Sequence, residues 1–323
     1  MDVTRRRFLE ATAAGAAIAP AIGASPASKL PTRPFGKTGM TVSILGFGSG
    51  SRFLMYREED RALDALNRAI DLGITYIDTA HAYGNGQSEE RIGRLMGARR
   101  KEVTLATKLP GRKADDARRQ IELSLKRLRT DHLDVLHIHD LKSLDDLAAI
   151  EAPDGVLKAL YEARDQKVAR AIGITCHASP SALKAALERH DFDATQMGLN
   201  AALARMSDAP GGMKATPMPE GGFEELALPV AVRKRMGIVA MKVFGQEQLI
   251  GSAAPEKLLA YSLSLPVSLA SCGMPRPEFI EKNAEVARHF EPMSAADRRK
   301  LTESISAAKK VSLGAFLSDH ADA

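Results

Sequence analysis

Short apolar runs alternate along the chain with longer segments whose apolar positions recur every three or four residues. The runs ITYID, VTLATK and LDVLHIH are rich in β-branched and aliphatic side chains, as strands buried on both faces of a parallel sheet require. The segment 58–71 instead places Leu63, Leu66 and Ile70 on one helical face, and Gly73 follows it as a stop signal. The pattern therefore predicts an alternation of strands and helices.

This strand–helix unit is repeated eight times over about 250 residues, which is typical of a (β/α)8 TIM barrel. The segment 30–43, with Gly36 and Gly39 in a polar turn, predicts a β-hairpin that caps the barrel at its N-terminal side. Residues 200–222, rich in Met, Gly and Pro, interrupt the alternation and are predicted to form a long loop. The eight predicted strands lie at 44–50, 74–78, 103–108, 133–139, 169–175, 194–199, 237–243 and 266–272.

A doubly wound dinucleotide-binding sheet is the competing architecture for such an alternation. The run Gly46-Phe47-Gly48-Ser49-Gly50 after the first strand begins like a glycine fingerprint. Ser51 stands where the third glycine should be, and the next predicted helix starts several residues too late. The barrel is therefore preferred.

The first residues have the features of a targeting signal. Thr4-Arg5-Arg6-Arg7-Phe8-Leu9 precedes a mildly apolar, Ala-rich run, and this resembles a twin-arginine export signal of bacteria. The run is too short for a stable membrane anchor. We expect residues 1–27 to be a signal peptide, 30–290 to form the barrel, and 291–323 to form a C-terminal helix and tail. An exported, periplasmic protein and contact with the twin-arginine machinery follow from this expectation.

Charge and cysteine content exclude several classes of protein. The formal net charge is +5 over 323 residues, and the basic residues form no stripe along the sequence. Both features argue against nucleic acid as a ligand. The two cysteines, Cys176 and Cys272, have no metal-site spacing; we expect two buried thiols, with one disulfide as the alternative.

Four residues with complementary chemistry fall at three successive strand ends. Asp78 ends the second predicted strand and Tyr83 follows it on a short loop, whereas Lys108 and His139 close the next two strands. Catalytic groups of a barrel of this type come from the carboxyl ends of its strands. The four side chains are therefore predicted to converge on one point.

The chemistry of these four residues suits proton transfer to a carbonyl group. A tyrosine phenol has a pKa near 10, and a neighbouring ammonium lowers it by favouring the phenolate. Tyr83 is thus predicted to donate the proton, with Lys108 as its electrostatic tuner and Asp78 as the anchor of that lysine. A neutral His139 could orient the carbonyl oxygen, and a hydride from a nicotinamide would complete the reaction.

These residues and their surroundings resemble the aldo-keto reductase family. The resemblance rests on the hairpin RPFGKTGMTVSILGFG, on Asp78-Thr79-Ala80 with Tyr83-Gly84, on Ala106-Thr107-Lys108, and on Ile138-His139-Asp140. It implies a barrel, NADP(H) as the usual hydride carrier with NAD(H) as the alternative, and reduction of small aldehydes or ketones to alcohols. It also implies that Asp78, Tyr83, Lys108 and His139 form the catalytic tetrad.

The cofactor side departs from the family pattern in two places. The family's Ser-Asn pair, which holds the carboxamide with Gln196, is Thr175-Cys176 here, and the stacking aromatic is replaced by Met241. Arg276 is the one cation placed to meet a 2′-phosphate. The resemblance implies that the cofactor is bound by Thr175, Gln196, Met241, Lys242, Val243, Phe244, Gly245, Gly273, Arg276 and Asn283.

Two other functions compete with the reductase. The weakened carboxamide site and the absence of reduced nicotinamide outside the cytoplasm motivate a non-catalytic sensor that keeps its nicotinamide and docks a partner. A metal-dependent hydrolase is prompted by His137-Ile138-His139-Asp140, but further ligands at later strand ends are not evident, so no metal site is predicted. His137 is instead expected to be a hydrogen-bonded core residue one layer below His139. A monomer or small homo-oligomer is expected.

Overall fold

Eight parallel strands close into a barrel at the centre of the molecule, and neighbouring strands of the barrel follow one another in chain order. The computed structural model describes residues 30–209, 212–217 and 222–305. The predicted (β/α)8 barrel is confirmed. The barrel strands are β3 (Leu45–Gly48), β4 (Tyr76–Asp78), β5 (Thr104–Leu109), β6 (Leu133–Ile138), β7 (Ala169–Cys176), β8 (Ala194–Gly198), β11 (Gly237–Met241) and β12 (Leu269–Gly273).

Helices surround the barrel, and two short 3-10 helices cover Tyr83–Gly86 and Arg100–Glu102. The periodic apolar face of each long helix is turned toward the strands, as in Ala62, Leu66 and Ile70 of 59–71. The described helices are α1 (Ser51–Leu54), α2 (Glu59–Asp71), α3 (Gln87–Arg99), α4 (Ala114–Leu128), α5 (Leu144–Glu151), α6 (Val156–Asp165), α7 (Pro180–Arg189), α8 (Phe223–Leu226), α9 (Leu228–Arg233), α10 (Pro255–Leu263), α11 (Pro277–Arg288) and α12 (Ala295–Ser304).

The predicted hairpin caps the N-terminal end of the barrel. Its strands β1 (Thr32–Pro34) and β2 (Thr41–Ser43) pair antiparallel. Phe35 lies so close to Gly237 of β11 that a Cβ at that glycine would be 2.5 Å from the phenylalanine ring. The hairpin is therefore seated directly on the barrel, and its apolar residues close the end opposite to the predicted site. One interior cluster joins the hairpin to the strands: Phe35, Met40, Val42, Tyr76, Ala106, Val135, Ala171, Ala194, Val239 and Leu269.

The prediction of a long loop over 200–222 is wrong for the described residues of this segment. Strands β9 (Ala204–Ala209) and β10 (Gly212–Pro217) form an antiparallel pair in which Ala204 lies opposite Pro217. The Met-, Gly- and Pro-rich composition of this segment obscured the strand pattern.

The chain ends bear on the predicted signal peptide and tail. Helix α12 lies within the predicted C-terminal helix, and Ser294 caps it by accepting a hydrogen bond from the Asp297 amide at 3.1 Å. The expected signal peptide and the tail from 306 onward fall outside the described residues. In the described ranges, every helix is too short or too polar to cross a bilayer.

The barrel interior changes character from one end to the other. Side chains alternate along a strand, so the residues two positions above the apolar layer also point inward. These upper positions are polar on five strands: Asp78, Lys108, His137, Gln196 and Ser271. The barrel therefore presents an apolar floor and a polar upper layer at the carboxyl ends of its strands.

Candidate functional site

Asp78 and Lys108 form a buried ion pair at the top of the barrel. The Lys108 Nζ lies 2.7 Å from Asp78 Oδ1, and the two side chains are only 1% and 6% exposed. The same ammonium donates to the Thr79 carbonyl oxygen at 2.8 Å. Two fixed acceptors therefore hold a positive charge in place where water cannot screen it.

Tyr83 and His139 complete the cluster predicted from the strand ends. The Lys108 Nζ lies 5.0 Å from the centroid of the Tyr83 ring. The His139 ring meets Tyr83 edge-on, with ring centroids 5.6 Å apart and an interplanar angle of 84°. Tyr83 is 8% exposed. The structure thus brings all four predicted side chains to one point at the barrel mouth.

One amide donor and one hydroxyl donor, from strands that are distant in the sequence, hold the Asp78 carboxylate in place. Gln196 Nε2 donates to Asp78 Oδ2 at 3.0 Å, and Ser271 Oγ donates to the same oxygen at 3.3 Å. Because the carboxylate can only accept, the Gln196 amide nitrogen must face it. Ser271 was missed by sequence reasoning, although its place two residues after the inward-facing Leu269 on β12 was a usable signal.

An open cleft lies above this polar layer, and it contains about 690 Å³ of empty space including its mouth. Two glycines, Gly48 and Gly50, form part of one wall. A Cβ at Gly50 would lie 3.3 Å from the Tyr83 ring, so the missing side chain leaves the phenol accessible from this wall. Six residues predicted to bind the cofactor line the cleft: Gln196, Met241, Lys242, Val243, Phe244 and Gly273.

The other four residues predicted to bind the cofactor do not line this cleft. Gly245 belongs to the same loop after β11 and has a left-handed backbone, with φ of 53°. Asn283 is buried in α11. Arg276 is exposed at the start of α11, where its guanidinium stacks on Phe279 at 4.8 Å. Thr175 is buried inside the barrel, next to Gln196 in strand register.

Thr175 and Gln196 carry buried polar atoms that fit a primary carboxamide. Thr175 Oγ1 and Gln196 Oε1 are buried without a hydrogen-bond partner. A hydroxyl can donate to a carboxamide oxygen, and the glutamine oxygen can accept from a carboxamide nitrogen. Leaving such atoms unsatisfied costs about 1–3 kcal/mol each, so a ligand that pairs them gains that amount on binding.

The mouth of the cleft is bridged by Arg52 and Glu247, two residues that the sequence did not single out. Arg52 pairs with Glu247 at 2.9 Å and donates to the Gln246 carbonyl oxygen at 3.1 Å. His177, buried at 4% exposure, lines the cleft, and its backbone amide donates to Asp140 Oδ1 at 3.0 Å. Arg52 and Glu247 are far apart in the sequence, and neither belongs to a motif.

His137 lies one layer below His139, as predicted, but its expected hydrogen bonds are not formed. The residue is fully buried, and neither ring nitrogen has a hydrogen-bond partner. Gly173 makes room for it, since a Cβ there would lie 2.5 Å from His137 Nδ1. Burial, with the Lys108 ammonium adding to it, lowers the pKa of His137 from 6.5 to about 3.

This buried imidazole predicts a loss of stability in acid. The unfolded chain takes up the His137 proton below its ordinary pKa of 6.5, whereas the folded chain does so only near 3. Unfolding should become easier as the pH falls through that window, by at most roughly 5 kcal/mol. Urea unfolding of the wild type and His137→Leu between pH 7 and 3.5 tests this: the variant should show a shallower loss. Equal slopes would contradict it, and exposed His289→Gln serves as the control.

Metal ligands and thiols do not add to the site. In the part of the chain that the structure describes, no three His, Cys, Asp or Glu side chains come close enough to hold a metal ion. Cys176 and Cys272 are free thiols and both are buried. Burial raises the pKa of each to about 12, so neither is a thiolate at neutral pH.

Comparison with known proteins gives a consistent family. The family model described as "Aldo/keto reductase family" matches residues 45–213. L-galactose dehydrogenase of Arabidopsis thaliana is 35% identical over 162 residues, which cover 46% of this chain and 49% of that protein. Aldo-keto reductase YhdN of Bacillus subtilis is 39% identical over 153 residues, which cover 43% and 44%. The chain thus spans about half of the length of these two relatives.

The fold has known counterparts as well. The holo form of aldo-keto reductase AKR11C1 from Bacillus halodurans superimposes with a TM-score of 0.70 and 21% identity, over 86% of this chain and 97% of that one. At that identity the likeness establishes the barrel fold.

Proposed function

The chain belongs to the aldo/keto reductase family, and on this premise we propose that it reduces aldehydes or ketones to alcohols with a nicotinamide cofactor. The observation that carries the proposal is the buried Asp78–Lys108 ion pair set 5.0 Å from the Tyr83 ring beneath an open cleft. No other polar group of the cleft combines an acidic proton with a fixed neighbouring cation.

Each member of the cluster has a distinct task in this reaction. Tyr83 donates its phenolic proton to the carbonyl oxygen as that oxygen gains charge. The Lys108 ammonium stabilises the phenolate left behind, because opposite charges attract strongly in a water-excluded site. Asp78 holds the Lys108 ammonium in position through the contact at 2.7 Å. His139, edge-on to Tyr83, orients the carbonyl oxygen toward the phenol.

The cofactor supplies the hydride when it is bound. Thr175 and Gln196 would hold its carboxamide through their unsatisfied oxygen atoms, and Met241 and Val243 offer an apolar surface beside them. We propose NADP, with NAD as the alternative. Arg276 supports this choice as a cation at the N-terminus of α11, where an anion is favoured.

A fluorescence titration with NADPH and NADH, followed by a panel of small carbonyl compounds, tests the proposal. We expect tight NADPH binding and turnover of at least one compound. Absence of nicotinamide binding would overturn the proposal. Binding without turnover of any compound would favour the sensor that docks a partner.

We further propose that the protein is exported by the twin-arginine route and acts outside the cytoplasm. The support is the sequence Thr4-Arg5-Arg6-Arg7-Phe8-Leu9 and the Ala-rich run behind it. That route carries folded proteins, so the cofactor would be loaded before transport. Replacing Arg5 and Arg6 with Lys should retain the protein in the cytoplasm; unchanged fractionation of this variant would refute export.

A further inference from the structure

The loop that carries Tyr83 is held from outside the cleft by one arginine. Arg127, in the last turn of α4, donates through Nη1 to the His81 carbonyl oxygen at 3.2 Å and through Nη2 to the Asn85 carbonyl oxygen at 3.3 Å. These two carbonyls stand two residues before and two residues after Tyr83. A single guanidinium thus holds the loop backbone on both sides of Tyr83.

A fully buried carboxylate fixes that guanidinium. The Glu89 side chain is 0% exposed, and its Oε2 lies 3.3 Å from Arg127 Nη1. Its other oxygen accepts a hydrogen bond from Thr107 Oγ1 at 2.7 Å. Thr107 immediately precedes Lys108 on β5. Glu89 therefore links Arg127, which holds the Tyr83 loop, to β5, the strand that carries Lys108.

The loop backbone depends on such support. Gly84 and Asn85 have φ of 58° and 53°, in the left-handed region, and Gly86 follows with φ of 98°. Glycine adopts such conformations without strain, whereas Asn85 is held in the left-handed region by its surroundings. A Cβ at Gly86 would lie 2.2 Å from Arg127 Cζ, so the guanidinium passes directly against the loop at this glycine.

We infer that Arg127 and Glu89 are positioning residues that set Tyr83 at its working distance from Lys108 and His139. The inference rests on the proposed function, since it concerns the proton donor of that reaction. Neither side chain lines the cleft, so both act through the loop backbone. Replacing them should change proton donation and leave cofactor affinity intact.

Arg127→Met tests this, because it removes the donors and keeps an unbranched side chain. We expect kcat to fall by about 100-fold, since a misplacement of about 1 Å can cost that much. The KM for the carbonyl and the Kd for NADPH should stay unchanged. Glu89→Gln should give a smaller loss of the same kind. Arg119→Met, on the exposed side of the same helix and paired with Asp116, is the matched control and should behave as the wild type.

Two readouts separate positioning from a general structural role. Added guanidinium should restore part of kcat in Arg127→Ala. The pH at which Tyr83 ionises can be read from ultraviolet difference spectra against Tyr83→Phe. It should be higher in Arg127→Met than in the wild type, because the phenol would lie farther from the Lys108 ammonium. Loss of activity that only tracks a lower Tm, with no rescue and no movement of the titration, would overturn the inference. If the wild type turned over no carbonyl compound, the proposed function would fail and the Tyr83 titration would still decide on positioning.

Discussion

Tyr83→Phe is expected to lower kcat for carbonyl reduction by about 10²–10⁴-fold, the usual contribution of a positioned general acid. The ring would keep its place between the Gly50 wall and the His139 edge, because phenylalanine retains every contact except those of the hydroxyl. NADPH should bind with unchanged Kd, since the hydroxyl is needed for the proton and not for the cofactor. Steady-state kinetics and a fluorescence titration of the same preparation measure both quantities.

The matched control for this change is Tyr161→Phe on α6. That hydroxyl accepts a hydrogen bond from the Asp191 amide at 3.4 Å, far from the cleft. The control variant should retain wild-type kcat. If Tyr83→Phe kept more than about a tenth of the wild-type kcat, the proton would have another donor, and the assignment of Tyr83 would be wrong.

Lys108→Met should be the most destabilising of the single changes considered. It leaves the Asp78 carboxylate buried without its cation, and breaking a buried ion pair in this way costs roughly 3–5 kcal/mol. Activity should disappear together with the stability. Urea unfolding at neutral pH measures the loss in the free energy of unfolding.

A double variant separates the charge imbalance from poor packing. Adding Asp78→Asn removes the orphaned charge, and the asparagine oxygen can still accept from Gln196 and Ser271 at the positions seen for the aspartate. We expect the double variant to recover more than half of the lost stability and none of the activity. Equal stability of the single and double variants would show that the pair contributes little through its charge.

The barrel and the four-residue cluster were predictable because both follow from short stretches of sequence. Each strand is a contiguous apolar run, and the side chain that points into the mouth is the last inward one of that run. Asp78, Lys108 and His139 could therefore be placed from three strand ends, and Tyr83 from the loop that follows the first of them.

The supports of the cluster could not be predicted in the same way. Ser271 reaches Asp78 across 193 residues of sequence, and Arg52 meets the Gln246 carbonyl across 194. Such contacts depend on barrel closure, and a polar residue on a helix or loop gives no local sign of its partner. Arg127 is one of several basic residues on α4, and only the fold distinguishes it from its neighbours.

Two errors have simple physical causes. The hairpin β9–β10 was taken for a loop because methionine, glycine and proline mask the alternation of a strand. His137 was expected to be hydrogen-bonded because buried polar groups usually are. It stands in an interior layer in which Lys108, Gln196 and Ser271 direct their donors to Asp78.

Transfer of deuterium from the cofactor to the product is the most direct test of the central claim. NADPH labelled at the reactive C4 position would be supplied with a carbonyl compound that the protein turns over, and the alcohol would be analysed by mass spectrometry. The account predicts one deuterium on the former carbonyl carbon, and about 10²–10⁴-fold less labelled alcohol when Tyr83→Phe replaces the wild type at equal incubation time. An alcohol product that carries no deuterium would contradict it.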